Sequence, residues 1–314
     1  MIDRWSAPQL RLANEKPNTT TNGGQQRPRL ALHRFDGLSA IASLRRHWPE
    51  YLMEVGEVGC YVFVACVVAT LLQHPASIVR QSVSSGLARS ALMGLAMGAT
   101  AIAIVTSPWG KRSGGHFNPA ITLSFYRLGK VEFWDASFYG IAQFLGALSG
   151  VTLARYVLRG ALAHPAVHYA VTAPGIHGSA AAFAAELTIS FILMSTVLFA
   201  THRKSLASYT AYFVGGLIAM YYTFEAPLSG MSTNPARTFG SAFHANYWHA
   251  VWIYFLAPSL GMLAAGELFL RVRSRAAPYC AKLHHANQER CIFHHAQTEV
   301  ERGEFDCSGR AAGG

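Results

Sequence analysis

The sequence predicts an all-α membrane protein: six transmembrane helices plus two re-entrant half-helices, arranged as an inverted repeat. Three observations predict it. Of 314 residues, 51% are hydrophobic and only 13% charged, whereas a soluble domain carries charge on about a quarter of its residues. Several apolar runs approach or exceed about 20 residues, the length that spans roughly 30 Å of hydrocarbon. The tripeptide Asn-Pro-Ala occurs twice, at Asn118-Pro119-Ala120 and at Asn234-Pro235-Ala236, once in each half of the chain.

Taken in order, residues 1–49 are polar and basic, with no apolar stretch near the start that could serve as a cleavable leader. They read as a disordered cytoplasmic tail. Apolar runs then fall at 50–72, 87–107, 133–158, 180–200, 206–225 and 248–270. A loop rich in Ala, His, Pro and Gly at 160–179 divides the chain, so repeat one covers 50–158 and repeat two 180–270. Residues 271–314 form a second polar tail, rich in Cys and His.

Each half holds three spans, with an Asn-Pro-Ala loop between the second and third. Three is odd, so the halves sit in opposite orientations, related by a pseudo-two-fold axis in the membrane plane. The loops then enter from opposite sides. Non-helical backbone at that depth survives only where it is buried in protein or lines water. Asn118 and Asn234 suit the N-cap of a helix. Pro119 and Pro235 suit its first turn, where a missing N–H costs nothing. Two half-helices therefore start near the bilayer centre, with their positive dipole ends facing each other. Such a pair opposes cations and protons, and the Asn amides offer donors to a neutral occupant.

The net charge of +10 raises the possibility of a nucleic-acid partner, but its distribution encodes topology instead. With both termini cytoplasmic, the inside segments hold Arg45, Arg46, Lys111, Arg112, Arg127, Lys130, Arg203 and Lys204, besides both tails. The outside segments and their margins hold Arg80, Arg89, Arg155, Arg159 and Arg237. That asymmetry follows the positive-inside rule. None of the five Cys falls on the outer side, which argues against a disulfide framework.

The stretches SGGHFNPAIT and SGMSTNPARTFGSA, with AELTISF and AQFLGALSG in support, resemble the aquaporins, or major intrinsic proteins, from about residue 51 to 270. The likeness is to the bacterial-type, water-channel branch more than to the glycerol facilitators. It implies a passive channel for water, with other small neutral solutes in question, which excludes ions and protons and needs no cofactor. It also implies a homotetramer with one pore per subunit, embedded in the lipid bilayer of the cell membrane.

By the same resemblance Arg237 belongs to an outer selectivity filter, with Met231 and Tyr222 carried over by spacing. Tyr221 takes that place if the register slips by one. The second-span filter position falls within 95–98. Glu57 and Glu186 are expected to hold the two loops, and His116 to order the first; Glu54 is expected near a span end. Thr238 stands where glycerol facilitators usually carry Asp, which favours water. Tyr222 in place of the His of strict water channels favours a wider filter, so a glycerol or other small-solute facilitator is the alternative. A proton-coupled transporter or membrane enzyme is the remaining class, with Glu57 and Glu186 as a proton pair; the chain offers no nucleophile–base pair or phosphate loop to support it.

In the second tail, Cys280 and His284 lie four apart, and Cys291 lies three before His294. On short helices these could make a Cys₂His₂ zinc site. The alternative is a soluble tail whose Cys and His are incidental.

Overall fold

The structure, a computed structural model, describes residues 37–272, 278, 280–284 and 287–293. All regular structure among them is helical. The long elements are α1 (Gly37–Gln73), α2 (Gly86–Thr106), α3 (Pro119–Arg127), α4 (Phe133–Leu158), α5 (Gly178–Thr201), α6 (Thr210–Met220), α7 (Pro235–Ala245) and α8 (Val251–Val272). Of these, α3 and α7 are the half-helices, nine and eleven residues long, too short to cross a bilayer.

Two elements depart from the expected bounds. The first helix begins at Gly37, well before residue 50, and carries Pro49 inside it. Proline deletes one backbone hydrogen bond and strains the turn before it. The Leu-, Ala- and Arg-rich run ahead of it has enough helix propensity to continue regardless. The expected tail at 1–49 therefore ends at or before Gly37.

The fifth span is not one regular helix. After α6 the chain widens into a π-helical turn at Tyr221–Glu225, then closes as a four-residue helix at Ala226–Ser229. For that reason five helices among the described residues are long and apolar enough to cross a membrane on their own; α6 completes the sixth crossing together with its π turn and terminal helix. A π turn inserts an extra residue per turn and is common at functional sites.

Helix pairs approach through small residues, as they must where lipid gives no hydrophobic drive for association. A Cβ on Gly146 of α4 would stand 2.4 Å from the Val55 carbonyl of α1, and one on Gly150 as close to that of Gly59. Gly94 and Gly98 of α2 make the same approach to the carbonyls of Ala219 and Gly215 in α6. These contacts tie α1 to α4 and α2 to α6, and so fix the frame around the two loops.

Candidate functional site

The site is built from two loops with one geometry. The first runs from a short helix, Pro108–Ser113, into α3; the second runs from Ala226–Ser229 into α7. Counting back from each Asn, the left-handed backbone positions coincide: Gly114 with Gly230, Gly115 with Met231, and Phe117 with Thr233. Met231 and Phe117 are non-Gly residues held at φ of 50° and 32°, a conformation that persists only where the surroundings over-determine it.

The surroundings are a carboxylate in each half. Glu186 accepts from the backbone N–H of Ser232 at 2.6 Å and of Thr233 at 2.8 Å, and from the Ser229 hydroxyl at 2.9 Å. In the first half the equivalent clamp is Glu54. It accepts from the backbone N–H of His116 at 3.0 Å and of Phe117 at 2.7 Å, and from the Gln143 amide at 2.7 Å. Sequence reasoning gave this place to Glu57 and put Glu54 near a span end. Glu57 instead accepts from the Ser113 hydroxyl, at 2.7 Å, and from no backbone N–H among the described residues. Both carboxylates lie on the same face of α1, about one turn apart, and only the three-dimensional path of the loop chooses between them.

The likeness continues outward. The Tyr139 hydroxyl of α4 donates to the Ser113 carbonyl at 2.6 Å. The Tyr254 hydroxyl of α8 donates to the Ser229 carbonyl. Ser113 Oγ accepts from Gly115 N–H, and Ser229 Oγ from Met231 N–H, both at 3.0 Å. His116 Nδ1 pairs with Thr122 Oγ1 at 3.0 Å, as Ser232 Oγ pairs with Thr238 Oγ1 at 2.6 Å. Thr238 also meets Thr172 at 2.8 Å.

At the centre, the two Asn residues cap their half-helices and cross-link them. Asn118 Oδ1 accepts from Ala120 N–H, and Asn234 Oδ1 from Ala236 and Arg237 N–H. Asn118 Nδ2 donates to the Thr233 carbonyl and Asn234 Nδ2 to the Phe117 carbonyl, each at 2.8 Å. The left-handed turns at Phe117 and Thr233 aim those carbonyls. A side-chain amide has two N–H donors, so each Asn keeps one beyond its cross-link.

Beside this junction lies a buried set of donors. Arg237 is 3% exposed, and its Nε and one terminal nitrogen have no hydrogen-bond partner. Tyr221 and Tyr222, carried inward by the π turn, are buried with unpartnered hydroxyls. Tyr61 of α1 lies within electrostatic reach of both Tyr222 and Arg237. Sequence reasoning missed Tyr61, because a Tyr in an apolar run carries no signal until its neighbours are known. Met231 packs, fully buried, in the same core. In the 95–98 window of α2, Leu95 is 64% exposed and Gly98 abuts α6. Met97, with no exposed surface, is the window's inward side chain.

The chain's likeness to known proteins matches this geometry. The family model for major intrinsic proteins matches residues 43–269. The chain belongs to the major intrinsic protein, or aquaporin, family. Its members are integral membrane proteins and passive channels for water or small solutes, not enzymes. Aquaporin NIP2-3 of Zea mays is 30% identical over 273 residues, covering 84% of this chain and 83% of that protein. Aquaporin-4 of Mus musculus is 34% identical over 174 residues, 54% of this chain and 52% of that one. The aquaglyceroporin structure from Plasmodium falciparum superposes with a TM-score of 0.61 at 20% identity, covering 72% of this chain and 97% of that chain; it supports the fold.

The residues expected to bind zinc are partly described. Cys280 Sγ and Cys291 Sγ lie 3.5 Å apart. His294 lies outside the described residues. Among the described residues no group of three or more His, Cys, Asp or Glu is placed to hold a metal ion.

Proposed function

We propose that this family member conducts water passively, with both termini in the cytoplasm and with Arg237, Tyr222 and Met231 shaping its narrowest part. The observation that carries this reading is the buried Arg237 guanidinium, whose Nε and one terminal nitrogen have no partner, with Tyr61 and Tyr222 beside it. Buried polar atoms are nearly always hydrogen-bonded, so a cluster without protein partners marks a place where water or a solute completes the bonding. The guanidinium rejects cations there, and the two half-helix dipoles reject them at the Asn118–Asn234 junction. Thr238, buried among hydroxyls of Ser232 and Thr172, adds no charge to the wall, which favours water over polyols.

The basic residues on the first-loop side favour a cytoplasmic position for that side. A homotetramer with four separate pores is part of the same proposal, as is the cell membrane as its location. Tyr222 supports a second reading, that a small neutral solute such as glycerol also passes, since the ring offers an apolar wall beside the donors.

Stopped-flow swelling of proteoliposomes tests the main reading. Osmotic permeability well above that of empty vesicles is expected. Permeability equal to empty vesicles would sink it, and a glycerol flux comparable with water would favour the second reading.

A further inference from the structure

Helices α5 and α8 touch at Gly261, where a Cβ would stand 2.3 Å from the Leu187 carbonyl. Four residues further along each helix, toward the C-terminal ends, a cavity of about 530 Å³ opens between them. That volume lies within the roughly 300–1,000 Å³ of sites that hold a small ligand. Leu198 and Ala265 form its buried floor, and the ring of His202 packs against Phe269 at 5.4 Å. Ile192, Phe199, Leu268 and Val272 form an exposed apolar rim, so the cavity is a groove open on the outer face of the helix pair.

The groove has the depth of one leaflet. On α5 its lining runs from Phe191 to Arg203, twelve steps of about 1.5 Å, or roughly 18 Å. Half of a hydrocarbon core of about 30 Å is close to that. The apolar length ends at a charge. Arg203, the second residue beyond α5, turns its guanidinium over the Phe199 ring, 4.2 Å from the centroid. It therefore stands at the mouth of the groove. Arg112 and Arg290 face Glu50, and Arg127 faces Glu267. Arg203 has no such ion pair among the described residues, and no carboxylate lines the groove.

We propose that this groove is a site for one anionic phospholipid, with an acyl chain between α5 and α8 and the headgroup phosphate on Arg203. The guanidinium fork matches a phosphate with two parallel N–H donors, and basic pockets between membrane helices favour anionic headgroups. A neutral lipid would fill the groove and leave the guanidinium without a counter-charge. Phosphatidylcholine brings a phosphate with its own cation attached, so it binds more weakly. Only the assignment to the inner leaflet rests on the topology proposed above; the lipid site does not depend on what the pore conducts.

Full-length protein in detergent is titrated with phosphatidylglycerol or phosphatidylcholine and read by native mass spectrometry. The first phosphatidylglycerol should bind about fivefold tighter than phosphatidylcholine, the worth of one Arg at an anionic surface. Arg203→Gln should abolish that preference. Ser195→Trp, which fills the groove, should weaken both lipids; Leu268→Trp at the rim fills it from the other helix if a Trp at 195 does not fold. Equal binding of the two lipids to the parent protein would overturn the proposal, as would a preference that survives Arg203→Gln and the filled groove. A filled groove that separates the copies of the chain and leaves lipid binding unchanged would also overturn it, giving the groove to a second copy instead.

Discussion

Asn118 and Asn234 hold each other's loops: each side-chain amide donates to the carbonyl that precedes the other Asn, both at 2.8 Å. Neither loop can take its shape without the other. Asn118→Ala therefore removes both a cap, worth about 1 kcal/mol, and a buried bridge of about 1 kcal/mol. The double variant with Asn234→Ala should lose less than the sum of the singles, because each has already broken the shared junction. Thermal denaturation in detergent across the four-protein cycle checks this, and strict additivity would contradict it.

Glu54 and Glu57 differ in what they hold. Replacing Glu54 by Gln turns one acceptor facing backbone N–H groups into a donor. Hydrogen bonds to a charged group are worth about 1.5–3 kcal/mol, so Glu54→Gln should lower the melting temperature clearly. Glu57→Gln keeps an acceptor for Ser113 and should cost markedly less. Glu186→Gln should behave like Glu54→Gln, since Glu186 holds Ser232 and Thr233 in the same way. Equal effects at 54 and 57 would contradict this assignment.

Removing the charge from Arg237 removes the cation barrier beside the loop junction. Arg237→Val should retain water permeability within about threefold, while proton or sodium leak, read by a trapped dye, rises at least tenfold; about 1.4 kcal/mol of barrier corresponds to each factor of ten. A leak unchanged from the parent protein would show that the guanidinium does not guard the path.

Tyr222 stands on the π turn with its hydroxyl unpartnered. Tyr222→Ala opens the wall and should raise glycerol flux several-fold with a smaller change in water. Tyr222→Phe keeps the ring and should move the ratio little. Light-scattering traces with each solute measure both. A ratio unmoved by Tyr222→Ala would place the ring outside the path.

His284 follows Leu283, whose N–H donates to the Gly114 carbonyl, and its pKa is lowered from 6.5 by burial first, then by the charge of Lys111, with Lys282 contributing less. Its neutral form is therefore the one that packs. A lowered folded pKa means the packed state is fully stable above 6.5 and is progressively weakened as pH falls below it, because the unpacked stretch binds the proton more readily. Hydrogen exchange of Ala281 and Leu283 should accelerate relative to the intrinsic rate as pH drops through 6.5. His284→Gln should flatten that dependence.

The sequence by itself determined the kind of protein. Apolar runs of spanning length, and two Asn-Pro-Ala loops at matching places, leave little freedom for a chain in hydrocarbon: every backbone polar group must be satisfied within the protein. Cap chemistry likewise made Asn118 and Asn234 legible as helix starts. Tertiary structure decided what local pattern cannot encode. It chose Glu54 over Glu57, since both share one helix face and only the loop's path selects between them. It broke the fifth span into a π turn, which apolar composition conceals, and so brought Tyr221 and Tyr222 inward. It gathered Tyr61 beside Arg237 from a distant segment, and it laid Ala281, Leu283 and Phe293 onto Gly114 and His116. Each of these is a contact between residues far apart in the chain. Their energies depend on which partners the fold brings together, and no periodicity or motif along the sequence records that.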